Sequence, residues 1–288
     1  MRSGFVALVG LPNAGKSTLL NRLVGEQLAI TSPKPQTTRD RVVGIRTDGD
    51  AQMVFVDTPG LLEPEYELHA RMRATSQRAL QDADVVVHVA DAALGVPAEL
   101  VALAGLTTPI RAPVIVALNK MDLLAVAERG SAIEDMPDAV LISARDGEGV
   151  AALLGRVAAT LPEGPFHFPA DELSTQPLRF FVGEFVREAA LAQLDDEVPY
   201  SVACVIEEFR EERVPLYIRA VLYVERESQK RILIGAKGAR IRALGSAARV
   251  RIESLLGASV YLDLWVKVQP HWRREPHVLD RLGYRLPD

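Results

Sequence analysis

The chain has 288 residues, a net charge of −5, 48% hydrophobic residues and 25% charged residues. This length predicts about two globular domains, and the composition excludes disordered and fibrous classes of protein. The sequence contains no run of 18 apolar residues, and its start, MRSGFVALVG, lacks a signal-peptide pattern, so we expect a cytoplasmic protein without a transmembrane segment.

Residues 1–162 alternate short β-branched runs with stretches of helical periodicity. This pattern predicts an α/β domain with a mostly parallel sheet and helices on both of its faces. The predicted strands are FVALVG, MVFVD, VVVHVAD, PVIVALNK and AVLISA. Each strand ends in polar or glycine-rich residues, which therefore gather at the carboxyl edge of the sheet, where open α/β folds bind their ligands.

The second half of the chain has a different organisation. Residues 163–177 lose periodicity and are rich in proline, which predicts a linker. Residues 178–270 predict an α+β domain with the element order α-β-β-α-α-β. For the tail, residues 271–288, the sequence leaves open a packed cap or an additional RNA contact.

Residues 10–17 read GLPNAGKS and match the phosphate-binding pattern G-x-x-x-x-G-K-[ST] between a predicted strand and a predicted helix. In this motif the backbone N–H groups of the loop surround the phosphates, Lys16 reaches the β- and γ-phosphates, and Ser17 ligates Mg²⁺. The candidate nucleotide-binding residues of this segment are Gly10, Leu11, Pro12, Asn13, Ala14, Gly15, Lys16, Ser17 and Thr18.

A second segment, Asp57-Thr58-Pro59-Gly60, follows the strand MVFVD. Asp57 suits a contact with magnesium through water, and the unhindered N–H of Gly60 can sense the γ-phosphate. The preceding loop TSPKPQTTRD, residues 31–40, is polar and interrupted by proline. Thr38 is the candidate second hydroxyl ligand for Mg²⁺ in this loop, with Thr37 as the alternative.

The strand PVIVAL leads into Asn119-Lys120-Met121-Asp122. Asp122 can accept hydrogen bonds from N1–H and the exocyclic amino group of guanine, a donor pair that adenine lacks. Together with Ser143 and Ala144, these residues predict GTP and GDP as ligands. The alternative is a P-loop kinase or ATPase, which would use ATP.

Residues 235–238, Gly-Ala-Lys-Gly, lie between two predicted helices and resemble the G-x-x-G loop with which KH domains clamp an RNA backbone. The element order resembles the type II KH topology. Basic residues cluster around the loop, which favours phosphate binding. The candidate RNA-binding residues are Lys230, Arg231, Ile234, Gly235, Ala236, Lys237, Gly238, Arg240, Ile241 and Arg242. The alternative is a peripheral membrane signalling GTPase that binds anionic lipids through the same basic residues.

The first 160 residues resemble the translation-factor-related GTPases, and nearly the whole chain resembles the Era family of the TrmE-Era-EngA-like superfamily. The resemblance depends on QTTRD, DTPGL, the run from SQKRILIGAKGAR to LDLWVKV, and HWR. It implies a GTPase that binds single-stranded RNA at the 3′ end of 16S rRNA during assembly of the 30S ribosomal subunit. It also implies a monomer with weak peripheral contact with the inner membrane.

Two positions bear on catalysis. Leu61 follows the segment DTPG, where Ras-like enzymes have a glutamine that positions water, so the resemblance implies slow GTP hydrolysis without an ion or a partner. Asn13 matches an asparagine that helps related GTPases to bind K⁺, although it can also be a turn residue only. The candidate catalytic residues are Lys16, Thr38, Gly60 and Asn13.

Overall fold

The computed structural model describes residues 1–286, and the chain divides into two compact units. The first unit comprises Met1–Glu65 and His69–Thr175, and the second comprises Tyr66–Leu68 and Gln176–Arg285. Among residues 1–286, no helix is both long and apolar enough to cross a membrane.

The first unit contains a six-stranded sheet in the order β2-β3-β1-β4-β5-β6. Only the β2–β3 pair is antiparallel. The prediction of a mostly parallel sheet is confirmed. The sequence did not predict β2, the seven-residue strand at one edge of the sheet. The strands are β1 (Arg2–Val9), β2 (Val42–Asp48), β3 (Ala51–Asp57), β4 (Val85–Asp91), β5 (Val114–Asn119) and β6 (Val140–Leu141).

Five helices accompany this sheet, and the central strands are buried along nearly their whole length. Continuous apolar strands such as β4 are typical of parallel sheets that have helices on both faces. The carboxyl ends of β1, β3, β4 and β5 therefore meet at one edge, where the predicted motifs begin. The helices are α1 (Lys16–Val24), α2 (Glu67–Asp82), α3 (Leu100–Ala104), α4 (Val126–Asp135) and α5 (Val150–Thr160).

Much of the segment predicted as a linker is held against the open edge of this sheet. The backbone N–H of Ile45 in β2 donates to the carbonyl of Leu173 at 2.8 Å. The Ser174 hydroxyl donates to the carbonyl of Val43, and the Gln52 amide donates to the carbonyl of Phe168. An exposed edge strand invites pairing with other chains, and this segment covers part of that edge.

The second unit has the predicted α-β-β-α-α-β order, in which β8 pairs antiparallel with β7 and parallel with β9. The tail packs within this unit, because the Trp272 side chain is fully buried and its indole N–H donates to the carbonyl of Ser201. Residues 287–288 of the tail lie outside the described residues. The elements are α6 (Leu178–Gln193), β7 (Ala203–Arg210), β8 (Leu216–Val224), α7 (Glu227–Ile234), α8 (Ala239–Leu256), β9 (Val260–Val268) and α9 (Pro276–Arg281).

Candidate nucleotide site and RNA groove

The loop between β1 and α1 requires glycine at both ends. Gly10 has φ +152°, and a Cβ there would lie 2.1 Å from the carbonyl oxygen of Val89. Gly15 has φ +94°, and a Cβ there would lie 2.2 Å from the Asn119 amide nitrogen. Helix α1 begins at Lys16, so its first N–H groups point toward the enclosed space. The loop is therefore shaped to bind an anion with its backbone.

Lys16 lies beneath this loop and is almost completely buried. Its Nζ donates to the carbonyls of Gly10 at 3.1 Å and Leu11 at 2.9 Å. Burial lowers the pKa of Lys16 to about 8, although the nearby charge of Asp57 opposes this shift. A bound phosphate would therefore provide a negative charge close to this desolvated ammonium group and stabilise its charged form.

Three oxygen-bearing side chains converge beside the loop. The Ser17 hydroxyl lies 2.7 Å from Asp57 Oδ2 and 2.8 Å from the Thr38 hydroxyl, which is itself 3.2 Å from Asp57 Oδ2. Asp57 is fully buried, and its Oδ1 atom has no hydrogen-bond partner among the described residues. Burial raises the pKa of Asp57 to about 6, against the opposing effects of Lys16 and the two hydroxyls.

The alternative ligand, Thr37, has a different environment. Its hydroxyl donates to the carbonyl of Lys34 at 2.7 Å, within its own loop. Thr38 is therefore the threonine that the structure brings to Ser17 and Asp57. An unsatisfied buried carboxylate oxygen beside two hydroxyls is the oxygen-rich environment that Mg²⁺ prefers.

The segment after Asp57 joins β3 to the phosphate loop. The Thr58 hydroxyl donates to the carbonyl of Leu8, and the Pro59 carbonyl accepts from the buried Ser76 hydroxyl, so these two residues brace the segment. A Cβ added at Gly60 would lie 2.7 Å from the backbone nitrogen of Pro12. Glycine is therefore required at position 60, because a side chain there would prevent the DTPG segment from lying so close to the phosphate loop.

The side chain of Leu61 points away from the contact between Gly60 and Pro12. Its side chain is buried in a cluster with Val9, Leu80 and Val86, and its N–H donates to the carbonyl of Gly10 at 3.0 Å. The side chain of Leu61 is therefore part of the core, and its backbone connects the DTPG segment to the loop.

The residues predicted to read guanine form a connected set at the ends of β5 and β6. The Asn119 amide donates to the carbonyl of Ala14 at 2.8 Å, and its Oδ1 accepts from the N–H of Ala144 at 2.9 Å. The Ser143 hydroxyl donates to Asp122 Oδ1 at 2.7 Å, which fixes that carboxylate. Asn119 thus joins the phosphate loop to the base-binding loop.

Two charged partners in this region were not predicted from the sequence. Asp91, at the end of β4, forms an ion pair with Lys120 at 2.7 Å and so holds the lysine beside the cleft. Arg145 forms an ion pair with Asp122 Oδ2 at 2.9 Å. Neither partner belongs to a recognisable motif, so only the folded arrangement reveals them.

A cleft of about 520 Å³ lies between the phosphate loop and residues 30–38. Its predicted lining residues are Pro12, Asn13, Gly15, Lys16, Ser17, Thr18, Thr37, Thr38, Gly60 and Lys120. Five further lining residues were not predicted from the sequence: Ile30, Thr31, Ser32, Pro33 and Gln36. The polar, proline-containing character of the loop from residue 31 onward could have indicated that it lies at the site. The other residues predicted to read guanine, Asn119, Asp122, Ser143 and Ala144, are not among its lining residues. The cleft is large enough for the phosphates and sugar of a nucleotide.

In the second unit, the G-x-x-G loop joins α7 to α8. Gly235 and Gly238 have φ +72° and +75°, and a Cβ at Gly235 would lie 2.8 Å from the Cβ of Arg240. Lys237 also has positive φ and is exposed at the tip of the loop. The Arg242 guanidinium donates to the carbonyl of Lys237 at 2.8 Å and so braces the loop.

A groove of about 330 Å³ runs from this loop between α8 and the edge strand β9. Ile241 and Arg242 were predicted, whereas the other lining residues were missed: Gly245, Ser246, Arg249, Tyr261, Leu262 and Leu264. The close packing of Gly245 against Leu264 keeps the two walls near each other. Lys230, Arg231 and Ile234 lie on α7, before the loop. Arg251, although part of the basic run, instead packs over Phe185 of α6.

These features define the class of protein. The glycine-bounded phosphate loop, the Ser17–Asp57–Thr38 cluster and the Asp122 region together form the nucleotide site of a P-loop GTPase. The G-x-x-G loop and its groove are those of a KH domain on the same chain. In agreement, the family described as "50S ribosome-binding GTPase" matches residues 5–120, and the family described as "KH domain" matches residues 197–273.

Full-length relatives identify the family. The chain is 44% identical over 293 residues to GTPase Era of Leuconostoc citreum, covering 98% of this chain and 96% of the relative. It is 43% identical to GTPase Era of Azotobacter vinelandii, covering 99% and 97%. The chain therefore belongs to the Era family of GTPases. The predictions of fold, family and GTPase activity are confirmed.

Two solved structures extend the similarity to the whole fold. One is a variant of Aquifex aeolicus Era bound to GDP·AlF4−, and the other is Era in complex with MgGDPNP and nucleotides 1506–1542 of 16S ribosomal RNA. Each superposes with a TM-score of 0.92 at 39% identity and covers 99% of this chain and 100% of its own. The comparisons support a guanine nucleotide as the ligand of the cleft.

Proposed function

We propose that this GTPase is a switch that binds the single-stranded 3′ end of 16S rRNA during assembly of the 30S subunit. The observation that carries this proposal is the presence of a basic G-x-x-G groove on the same chain as a guanine-nucleotide cleft. The 16S rRNA complex of the similar Era structure supports this choice of RNA. The switch model also requires the RNA affinity to differ between the GTP-bound and GDP-bound protein.

Binding to an oligonucleotide of about twelve nucleotides from the 16S rRNA 3′ end tests the RNA target. We expect tighter binding of this RNA than of its scrambled sequence. Lys237→Ala, at the loop tip, should weaken binding, whereas Val250→Ala, an exposed change elsewhere on α8, should not. Equal affinity for both RNAs would contradict the target.

Binding to anionic vesicles, measured in parallel, tests the alternative that the basic residues bind a membrane surface. Because loop and helix cations attract phosphates from either source, the two ligands must be compared at the same ionic strength. Vesicle binding that exceeds RNA binding and is lost in Lys237→Ala would favour the membrane alternative.

We also propose that Ser17, Thr38 and Asp57 hold Mg²⁺ beside the nucleotide phosphates. The unsatisfied Oδ1 of Asp57 and the two converging hydroxyls support this assignment. A bound Mg²⁺ supplies positive charge that favours phosphoryl transfer. The residues of this chain contribute the remaining positive charge through Lys16 and orient the phosphates through the loop N–H groups.

Asn13 is proposed as a contributor to K⁺ binding and to the stimulation of slow GTP hydrolysis. It is exposed to the cleft and held in the left-handed region at φ +61°. Its amide oxygen is a ligand of the type that K⁺ accepts. We expect faster hydrolysis in KCl than in NaCl at matched ionic strength, and loss of that difference in Asn13→Ala. Equal rates in the two salts for the wild-type protein would remove the proposal.

A further inference from the structure

The outer face of the second-unit sheet carries an unusual cluster of aromatic side chains. Alternation along β8 and β9 directs Ile218, Ala220 and Leu222 into the core and places Tyr217, Arg219, Tyr261, Asp263 and Trp265 on the opposite face. Tyr261 and Trp265 are 59% and 53% exposed. We call Tyr217, Arg219, Tyr261 and Trp265 the outer platform.

Contacts within the outer platform fix its rings in place. Tyr217 and Tyr261 stack with centroids 5.9 Å apart and an interplanar angle of 12°. The Tyr217 hydroxyl donates to Asp263 at 2.8 Å, and Arg219 Nε donates to the same carboxylate at 3.1 Å. The Tyr217 hydroxyl is thus engaged within the sheet and arginine side chains lie over its ring, whereas much of the surface of Tyr261 and Trp265 remains exposed.

The charges of this face are largely balanced, unlike those beside the groove. Arg219 pairs with both Asp263 and Glu208, and Arg210 also pairs with Glu208. The outer platform therefore offers aromatic surface rather than net positive charge. Base stacking on exposed aromatic side chains suits such a surface, since every base has a flat face.

The outer platform is continuous with the RNA groove. Tyr261 lies on β9, the edge strand, and it both lines the groove beside α8 and stacks on Tyr217 of the outer face. A strand of RNA that leaves the groove past Tyr261 therefore reaches Trp265, which lies four residues along the same strand on the same face.

We propose that the outer platform is a second binding surface for single-stranded RNA, on which nucleotides beyond those held in the groove stack against Tyr261 and Trp265. The proposal rests on RNA binding by the groove. A KH loop clamps about four nucleotides, so the platform serves RNA longer than that. We assign RNA rather than a protein to the outer platform, because the platform is continuous with the groove. Arg242 and Arg249 line that groove and can bind phosphates.

Trp265 supplies a direct test in the wild-type protein. The chain has two tryptophans, and Trp272 is fully buried, so quenching by RNA reports on Trp265. The probes are a four-nucleotide RNA from the 16S rRNA 3′ end and the same RNA extended by about six nucleotides at either end. We expect the extended RNA to quench emission and the short RNA to bind without quenching. Trp265→Phe should abolish the quenching.

Calorimetric affinities of substituted proteins test the energetics of the same surface. Trp265→Ala should weaken binding of the extended RNA by roughly 5- to 150-fold, the range for one lost stacking contact, and leave the short RNA unaffected. Trp265→Phe should restore most of the affinity, whereas Trp265→Leu should not. The salt dependence of binding should stay unchanged in Trp265→Ala, because no phosphate contact is removed. Val250→Ala is the exposed control.

The outcomes separate the two proposals. If both RNAs bind but the extended RNA neither quenches Trp265 nor loses affinity in Trp265→Ala, the outer platform does not bind RNA and the groove still does. If Trp265→Leu binds the extended RNA as the wild-type protein does, the surface is an apolar docking site and the stacking proposal fails. If neither RNA binds, the RNA-binding function itself is wrong.

Discussion

An Asp57→Asn substitution removes a negative charge from a fully buried position and keeps nearly the same shape. In the protein without nucleotide or Mg²⁺, the carboxylate is held by two hydroxyls and attracted by Lys16, yet its Oδ1 is unsatisfied among the described residues. Desolvation outweighs these favourable contacts, since the pKa of Asp57 is raised to about 6. The charge therefore destabilises the empty site.

The size of this effect follows from the pKa shift. A rise of the pKa from the ordinary aspartate value of 3.8 to about 6 corresponds to about 3 kcal/mol in favour of the protonated carboxyl group. Between these pH values the folded protein binds more protons than the unfolded chain, so the free energy of unfolding falls as the pH rises. Asp57→Asn should therefore be more stable than the wild-type protein by up to about 3 kcal/mol above pH 6 or so, and nearly equal to it near pH 4.

Urea unfolding with chelator, followed by far-UV circular dichroism, measures this difference across the pH range. Both tryptophans lie in the second unit, so their fluorescence identifies its transition and separates it from that of the first unit. Asp50→Asn, at an exposed turn, is the control and should show no such pH-dependent gain. Saturating MgGDP should reverse the order, because it stabilises only the protein that binds it well. A pH-independent difference, or a less stable Asp57→Asn protein at pH 7.5, would refute the reasoning.

Three further substitutions test the site and the groove. Asp122→Asn removes the acceptor for the guanine donors, so GTP affinity measured by nucleotide competition should fall by about 100-fold or more; an unchanged preference for GTP over ATP would contradict the assignment. Gly60→Ala places a Cβ 2.7 Å from the Pro12 backbone, so single-turnover GTP hydrolysis should slow while GDP affinity changes little; a wild-type hydrolysis rate would be inconsistent with close approach. Lys237→Ala should reduce the slope of log affinity against log salt by about 0.7, and an unchanged slope would exclude a phosphate contact.

The parallel core was predictable from the sequence because its strands are buried on both faces and read as continuous apolar runs. Strand β2 was not predicted, because it is an antiparallel edge strand that contains Gly44, ends in the polar residues Arg-Thr-Asp and follows an irregular loop. Residues 163–177 were predicted as a linker, because their sequence loses periodicity and is rich in proline. Their contacts with β2 and Gln52 join residues more than 100 positions apart, and local pattern carries no information about them.

The nucleotide motifs were predictable because the phosphate loop depends on local backbone geometry that only certain residues allow. The choice between Thr37 and Thr38 was different, since both carry the same hydroxyl and only the folded loop distinguishes them. The far wall of the RNA groove was also missed. The alternation in β9 predicts two faces for Tyr261 and Leu262, but it does not reveal that the free edge of this strand lies beside Gly245 of α8.

Leu61 illustrates how a missing catalytic group can be compensated by structure. The side chain is buried with Val9 and Val86, so replacing it with glutamine would put an amide into the core rather than beside the nucleotide. The backbone N–H of Leu61 donates to the carbonyl of Gly10, and this hydrogen bond connects the DTPG segment to the phosphate loop. Gly60 is thereby held against Pro12, one residue from Asn13. A group that positions water would then have to come from the backbone, an ion or a partner. We propose an ion-binding role for Asn13, the exposed amide of the cleft next to this junction.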